Sequence, residues 1–85
     1  MNKYRIELSK SAIKDFEKIP KKELRKIKNE ILMLEDNPRP IGSLKLTNEE
    51  GYRIRIGKYR LLYEIEDKEK HVVIYRARHR KEVYR

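Results

Sequence analysis

Arginines stand at alternate positions in Tyr52-Arg53-Ile54-Arg55-Ile56, and Gly57-Lys58 then turns the chain into Tyr59-Arg60-Leu61-Leu62-Tyr63. Successive side chains of an extended strand point to opposite faces. Tyr52, Ile54 and Ile56 can therefore cover a core while Arg53 and Arg55 stand together outside, roughly 7 Å apart. A hairpin brings Arg60 back beside them. Guanidinium groups gathered in this way present planar forks that match phosphate oxygens. The pattern points to an anion-binding face, with nucleic acid the commonest polyanion in a cell.

Positioning such a face requires a sheet with one covered side. Tyr4, Ile6 and Leu8 share one parity and predict a strand over residues 3–8. Ser9 or Ser11 then caps a helix whose apolar stripe is Ala12, Ile13, Phe16 and Ile19 and which Pro20 ends. A second helix runs from about Lys22 with the stripe Leu24, Ile27, Ile31 and Leu34, and stops before Asn37-Pro38. The Pro/Gly-rich connector 37–42 follows, and the pattern switches to period two, predicting strands over about 52–56, 59–66 and 71–78. Their tight links make neighbouring strands antiparallel. The expected fold is α+β: a single small domain over residues 1–85, with an N-terminal strand, a helical hairpin and a three-stranded antiparallel meander, the helices packed on one sheet face.

The register of the last strand is ambiguous, because His71-Val72-Val73-Ile74-Tyr75 is apolar on both parities. With Val73, Tyr75 and Ala77 inward, Arg76 and Arg78 join Arg53, Arg55 and Arg60 outside, with Glu64 the one acid among them. The same parity argument puts Tyr52, Tyr59, Tyr63 and Tyr75 mostly in the core, with wet hydroxyls.

Composition agrees with a polyanion partner. Of 85 residues, 23 are Lys or Arg against 14 Asp or Glu, a net charge of +9, which gives long-range attraction to polyanions. Such charge also keeps small domains soluble, so its distribution carries more information. Residues 1–42 contain only Arg5, Arg25 and Arg39, whereas Arg53, Arg55, Arg60, Arg76, Arg78, Arg80 and Arg85 lie after them. The absence of cysteine excludes disulfides, thiolate nucleophiles and Cys-ligated zinc. No apolar run reaches the roughly 20 residues of a membrane span, and the start lacks the apolar run of a signal peptide. A cytoplasmic protein with no membrane partner is expected.

Taken together, Leu44-x-Leu46, the run Gly51-Tyr52-Arg53-Ile54-Arg55-Ile56-Gly57-Lys58-Tyr59-Arg60-Leu61-Leu62-Tyr63 and the ending Arg78-His79-Arg80-Lys81-Glu82-Val83-Tyr84 resemble the RelE branch of the RelE/ParE toxin superfamily. The resemblance covers nearly the whole chain. It implies the toxin of a toxin–antitoxin pair, held in a heteromeric complex by a RelB-like antitoxin, that enters the ribosomal A site and cuts the messenger RNA there. The implied enzyme is an endoribonuclease with no metal and no cofactor. In its reaction a 2′-hydroxyl attacks the adjacent phosphate, leaving a 2′,3′-cyclic phosphate and a free 5′-hydroxyl.

By the same resemblance, Arg60 and Arg78 match phosphate-stabilising arginines and Tyr84 a C-terminal tyrosine with an acid or base-stacking role. Arg53, Arg55, Arg76, Arg80 and Lys81 are the expected RNA contacts. Arg53 and Arg55 fall where the best-studied type of RelE has lysines. Arginine stays protonated in proteins, so neither is a credible general base. His79 is the candidate base, because imidazole exchanges protons near neutrality, although its strand parity sets it opposite Arg78. Glu64 ranks behind it, and a reaction with no base from the protein, assisted by the ribosome, is a third possibility. Two other functions fit the scaffold: a ParE-like toxin that acts on DNA gyrase without cutting nucleic acid, and a catalytically inactive module that binds RNA or titrates antitoxin.

Overall fold

The computed structural model describes residues 3–47 and 50–83. The elements run β1 (Arg5–Leu8), α1 (Lys10–Glu17), α2 (Lys21–Asp36), β2 (Leu44–Lys45), β3 (Tyr52–Ile56), β4 (Tyr59–Glu66), β5 (His71–His79) and α3 (Arg80–Val83). Ser9 caps α1, its Oγ accepting the Ala12 N–H at 3.1 Å, which satisfies one of the helix's orphan donors. Pro20, with φ −56°, sits at the N-cap of α2, where a missing N–H costs nothing. Asn37 leaves the helical region immediately before Pro38, as the proline ring requires.

The meander β3–β4–β5 forms as the alternation implies, but it is the middle of a larger sheet. Among the described residues the strand order is β1-β5-β4-β3-β2. β1 pairs in parallel with the first half of β5, Arg5 opposite His71 through Leu8 opposite Ile74. The two residues of β2 pair antiparallel with the start of β3. The sheet is therefore mixed, not purely antiparallel. Two-residue β2 is too short to show a period of its own, and it forms because β3 offers it an edge.

Ala12, Ile27 and Leu34 of the helices meet Ile54, Leu61, Tyr63, Val72, Ile74 and Ala77 of the sheet in one buried core. Each fully buried aliphatic side chain there contributes about 1.5–3 kcal/mol. One register shift lies between Leu62 and Tyr63: Tyr63 faces Ile74 whereas Leu62 faces Arg76, so Tyr75 is the extra residue of a β-bulge. The bulge corrects the expected parity of β5. Val72 and Ile74 point inward in place of Val73 and Tyr75, and Ala77 is inward as well. A strand apolar on both parities thus buries both sets, at the cost of one unpaired residue.

The connector is bound to the sheet end remote from the Gly57 turn. Arg39 donates from Nη1 and Nη2 to Asp67 at 3.1 and 2.9 Å and from Nε to the Tyr52 hydroxyl at 3.1 Å. Tyr4 donates to Asp67 at 2.8 Å. Tyr63 donates to the Pro38 carbonyl at 2.8 Å, and burial pushes its phenol up to about 12, which keeps it a donor.

The Arg39 guanidinium, with help from Tyr4, holds the Asp67 carboxyl down to about 2 from 3.8. Since the folded value lies below the unfolded one, ionised Asp67 favours the fold. That contribution is whole above 3.8 and is lost as the pH falls through about 2. Asp67→Asn is expected to flatten the acid limb of a plot of melting temperature against pH in that window. An acid limb identical to that of the wild type would show that the clamp adds nothing.

Candidate nucleic-acid interface

Three strands carry one row of arginines. Arg55 of β3 faces Arg60 of β4, and Arg60 faces Arg78 of β5. Adjacent strands lie about 4.8 Å apart, so the three side chains leave the sheet as near neighbours. Each is set by its strand's alternation, because Ile54, Ile56, Leu61 and Ala77 beside them are buried on the other face. The tight turn with φ +60° at Gly57, a conformation that favours glycine, places Arg55 and Arg60 opposite one another. Arg53 stands in the next row, between Leu44 and Leu62. Arg53, Arg55 and Arg60 line a hollow of about 250 Å³ together with Gly42 and Leu44.

The row is crowded and partly dry. Arg60 is 5% exposed and is the buried charged residue of the described chain. The expected outward direction of Arg60 is met, but its depth in the sheet was not apparent from alternation. The Arg78 Nε is buried with no hydrogen-bond acceptor among the described residues. Two guanidinium charges held about 5 Å apart repel by about 1 kcal/mol in bulk water and roughly 3 kcal/mol at an effective dielectric of about 20. Like charges directly opposite on adjacent strands destabilise a sheet. Glu64 lies four residues along β4 from Arg60, roughly 13 Å, and is exposed. An anion in the hollow would relieve the repulsion.

Inorganic phosphate is accordingly expected to stabilise the protein at constant ionic strength. At ten times its dissociation constant the gain is about 1.4 kcal/mol, or roughly 6–11 °C in melting temperature for a domain of this size. The gain should vanish in Arg60→Ala. An equal shift in both proteins would mean that phosphate acts on the surface at large.

The other expected site residues are placed differently. Arg76, opposite Leu62, donates from Nε and Nη2 to Asp15 of α1 at 2.8 and 3.3 Å, and the same carboxylate accepts the Ala77 N–H at 2.9 Å. Burial raises the Asp15 carboxyl, but these bonds and the charges of Arg76 and Arg78 outweigh it and lower it below the ordinary value. Arg76 thus fastens β5 to α1. The ring of His79 lies edge-on to Tyr59, centroids 5.2 Å apart, and its Nδ1 accepts the Lys81 N–H at 3.2 Å. It shares a small cavity with Asp15, Lys18 and Ile19 of the helical layer, away from the arginine row. Arg80 and Lys81 are exposed in α3, and the Arg80 N–H donates to the Lys58 carbonyl at 2.8 Å. Tyr84 lies outside the described residues.

One residue of this face escaped the sequence pattern. Tyr75, expected in the core, is the bulge residue. Its hydroxyl lies 3.1 Å from where a Cβ on Gly51 would stand, a point 3.5 Å from the Glu64 Cγ. Its ring therefore lies on the arginine side. The available signal was the doubly apolar strand itself, which cannot satisfy both parities without a bulge.

Comparison with known proteins gives the same picture over the whole chain. Residues 6–84 match the family model described as the ParE toxin of type II toxin–antitoxin system, parDE. A curated protein of Methanocaldococcus jannaschii named as a RelE1 toxin is 30% identical, covering 98% of this chain and 97% of its own. Two solved structures superpose closely. The toxin–antitoxin complex RelBE2 of Mycobacterium tuberculosis has a TM-score of 0.82 at 30% identity, over 91% of this chain and 98% of that one. The archaeal RelE-RelB complex of Pyrococcus horikoshii has 0.79 at 29% identity, over 94% and 97%.

Proposed function

The chain belongs to the ParE toxin family of type II toxin–antitoxin systems and is RelE-like within it, and from that premise we propose that it inhibits translation as an endoribonuclease that cuts messenger RNA in the ribosomal A site. The observation that carries this reading is the row Arg55–Arg60–Arg78 beside the hollow that Arg53 completes. In-line attack of a 2′-oxygen on phosphorus forms the 2′-O–P bond and breaks the P–O5′ bond, and negative charge grows on the non-bridging oxygens between. Preorganised donors aimed at that charge lower the barrier. Arg60 and Arg78 take that role, and Arg53 and Arg55 hold the flanking phosphates. Arg80 and Lys81 add exposed charge along the RNA path, and Tyr84 is the candidate acid for the 5′-oxygen.

His79 does not serve this site from where it lies, since its ring is turned to Tyr59 and its Nδ1 is engaged. The 2′-hydroxyl proton therefore passes to solvent or to the ribosome in this scheme. The partner in the resting state is a RelB-like antitoxin in a heteromeric complex, by analogy with the Pyrococcus horikoshii and Mycobacterium tuberculosis complexes. The ribosome and its messenger are the targets, in the cytoplasm.

The ParE description of the family model favours a second reading, a toxin that acts on DNA gyrase and cuts no nucleic acid. Such a target gives no reason to crowd four arginines around a phosphate-sized hollow. Induced expression followed by primer extension on a translated message separates the two. Breaks inside codons, absent with Arg60→Ala, support the nuclease. Arrested replication with intact messages would select the gyrase toxin, and harmless expression an inactive binding module.

A further inference from the structure

We propose that the Tyr75 ring is a platform on which an unpaired nucleobase stacks while its phosphate lies in the hollow of Arg53, Arg55 and Arg60, an inference that rests on the RNA reading above. Two independent features of the fold put the ring there. The bulge inserts Tyr75 between Ile74 and Arg76 without a partner on β4, which turns it out of the core. Gly51, with φ +114°, leaves room for its hydroxyl, since a Cβ there would stand 3.1 Å from that oxygen and 2.9 Å from the Tyr63 carbonyl oxygen. The ring thus crosses β4 toward the start of β3, beside the row in which Leu62 faces Arg53.

The chemistry is complementary. Guanidinium groups grip phosphates but are indifferent to bases, whereas an aromatic face holds any base by stacking. A strand of RNA needs both at about one nucleotide's spacing. Beyond the ring, a cleft of about 320 Å³ lined by Gly51, Glu64, Glu66, Lys45 and His71 gives the edge of a stacked base room. The tyrosine is also held at its backbone: its carbonyl accepts the Ser9 hydroxyl at 3.1 Å, so the platform is fixed before RNA arrives.

The test uses a short single-stranded 2′-O-methyl oligoribonucleotide carrying one 2-aminopurine, titrated at low salt with wild type, Tyr75→Phe, Tyr75→Leu and Arg60→Ala, each checked for an intact melting transition. Tyr75→Phe is expected to bind as wild type and quench the 2-aminopurine. Tyr75→Leu, which fills the space without a π face, should bind about tenfold more weakly and lose the quench. If Tyr75→Leu binds and quenches like wild type while Arg60→Ala does not, the platform is refuted and the RNA face stands. If wild type itself does not bind the oligonucleotide, both readings fall.

Discussion

Replacing Arg60 with alanine is expected to lower messenger cleavage by about 100- to 1,000-fold, the effect of removing one preorganised donor from a developing oxyanion and equivalent to roughly 2.7–4 kcal/mol. Arg60 occupies the centre of the row, with Arg55 on one side and Arg78 on the other, so no neighbour can take its place without leaving its own strand. The fold should respond in the opposite sense. Removing the middle charge relieves two like-charge contacts, and the melting temperature is expected to hold or rise, most visibly at low salt. Loss of activity without loss of stability is the trade expected of a site built from mutually repelling groups. Primer extension on a translated message measures the first effect and thermal denaturation the second. A variant that cuts at the wild-type rate would remove Arg60 from the chemistry, and one that melts far below wild type would make it a structural residue.

Ile54→Asp is expected to unfold the domain. Ile54 is 5% exposed and belongs to the core on the face opposite Arg53 and Arg55. A carboxylate there would have no partner and would cost several kcal/mol. A chain of 85 residues has only about 4–13 kcal/mol of stability to lose. Circular dichroism should show the loss, while Ile54→Val, which removes one methylene, should cost about 0.5–1.5 kcal/mol and keep the fold. A folded, cooperative Ile54→Asp protein would mean that β3 does not present this residue to the helices. The facing of Arg53 and Arg55, inferred from the same alternation, would then be wrong as well.

The two expectations test opposite faces of one strand, and that face assignment is what the residue order conveys most reliably. Alternation is a property of each strand taken singly. Arg53, Arg55 and Arg60 had to leave the sheet on the side away from Ile54, Ile56 and Leu61 once any helix covered the latter. The stripe Leu24–Ile27–Ile31–Leu34 and the breaks at Pro20 and Pro38 set the helical hairpin in the same local way. Even Arg78 follows, since Ala77 is small enough to pack inward beside it.

Pairing between distant segments settled the rest. Nothing in Arg5–Leu8 says that it runs parallel to His71–Ile74, because the partner strand lies more than sixty residues away. Arg39 and Arg76 have the same chemistry as Arg60, yet they are taken up by Asp67 and Asp15, acids brought near only by folding. His79 turned to Tyr59 for the same reason. Tyr75 moved from the expected core to the arginine face because β5 could bury Val72, Ile74 and Ala77 together only by leaving one residue unpaired. The physical difference is one of range: a side chain's face follows from its immediate neighbours, whereas its register and its partner follow from whichever pairing of remote strands and helices buries the most apolar surface.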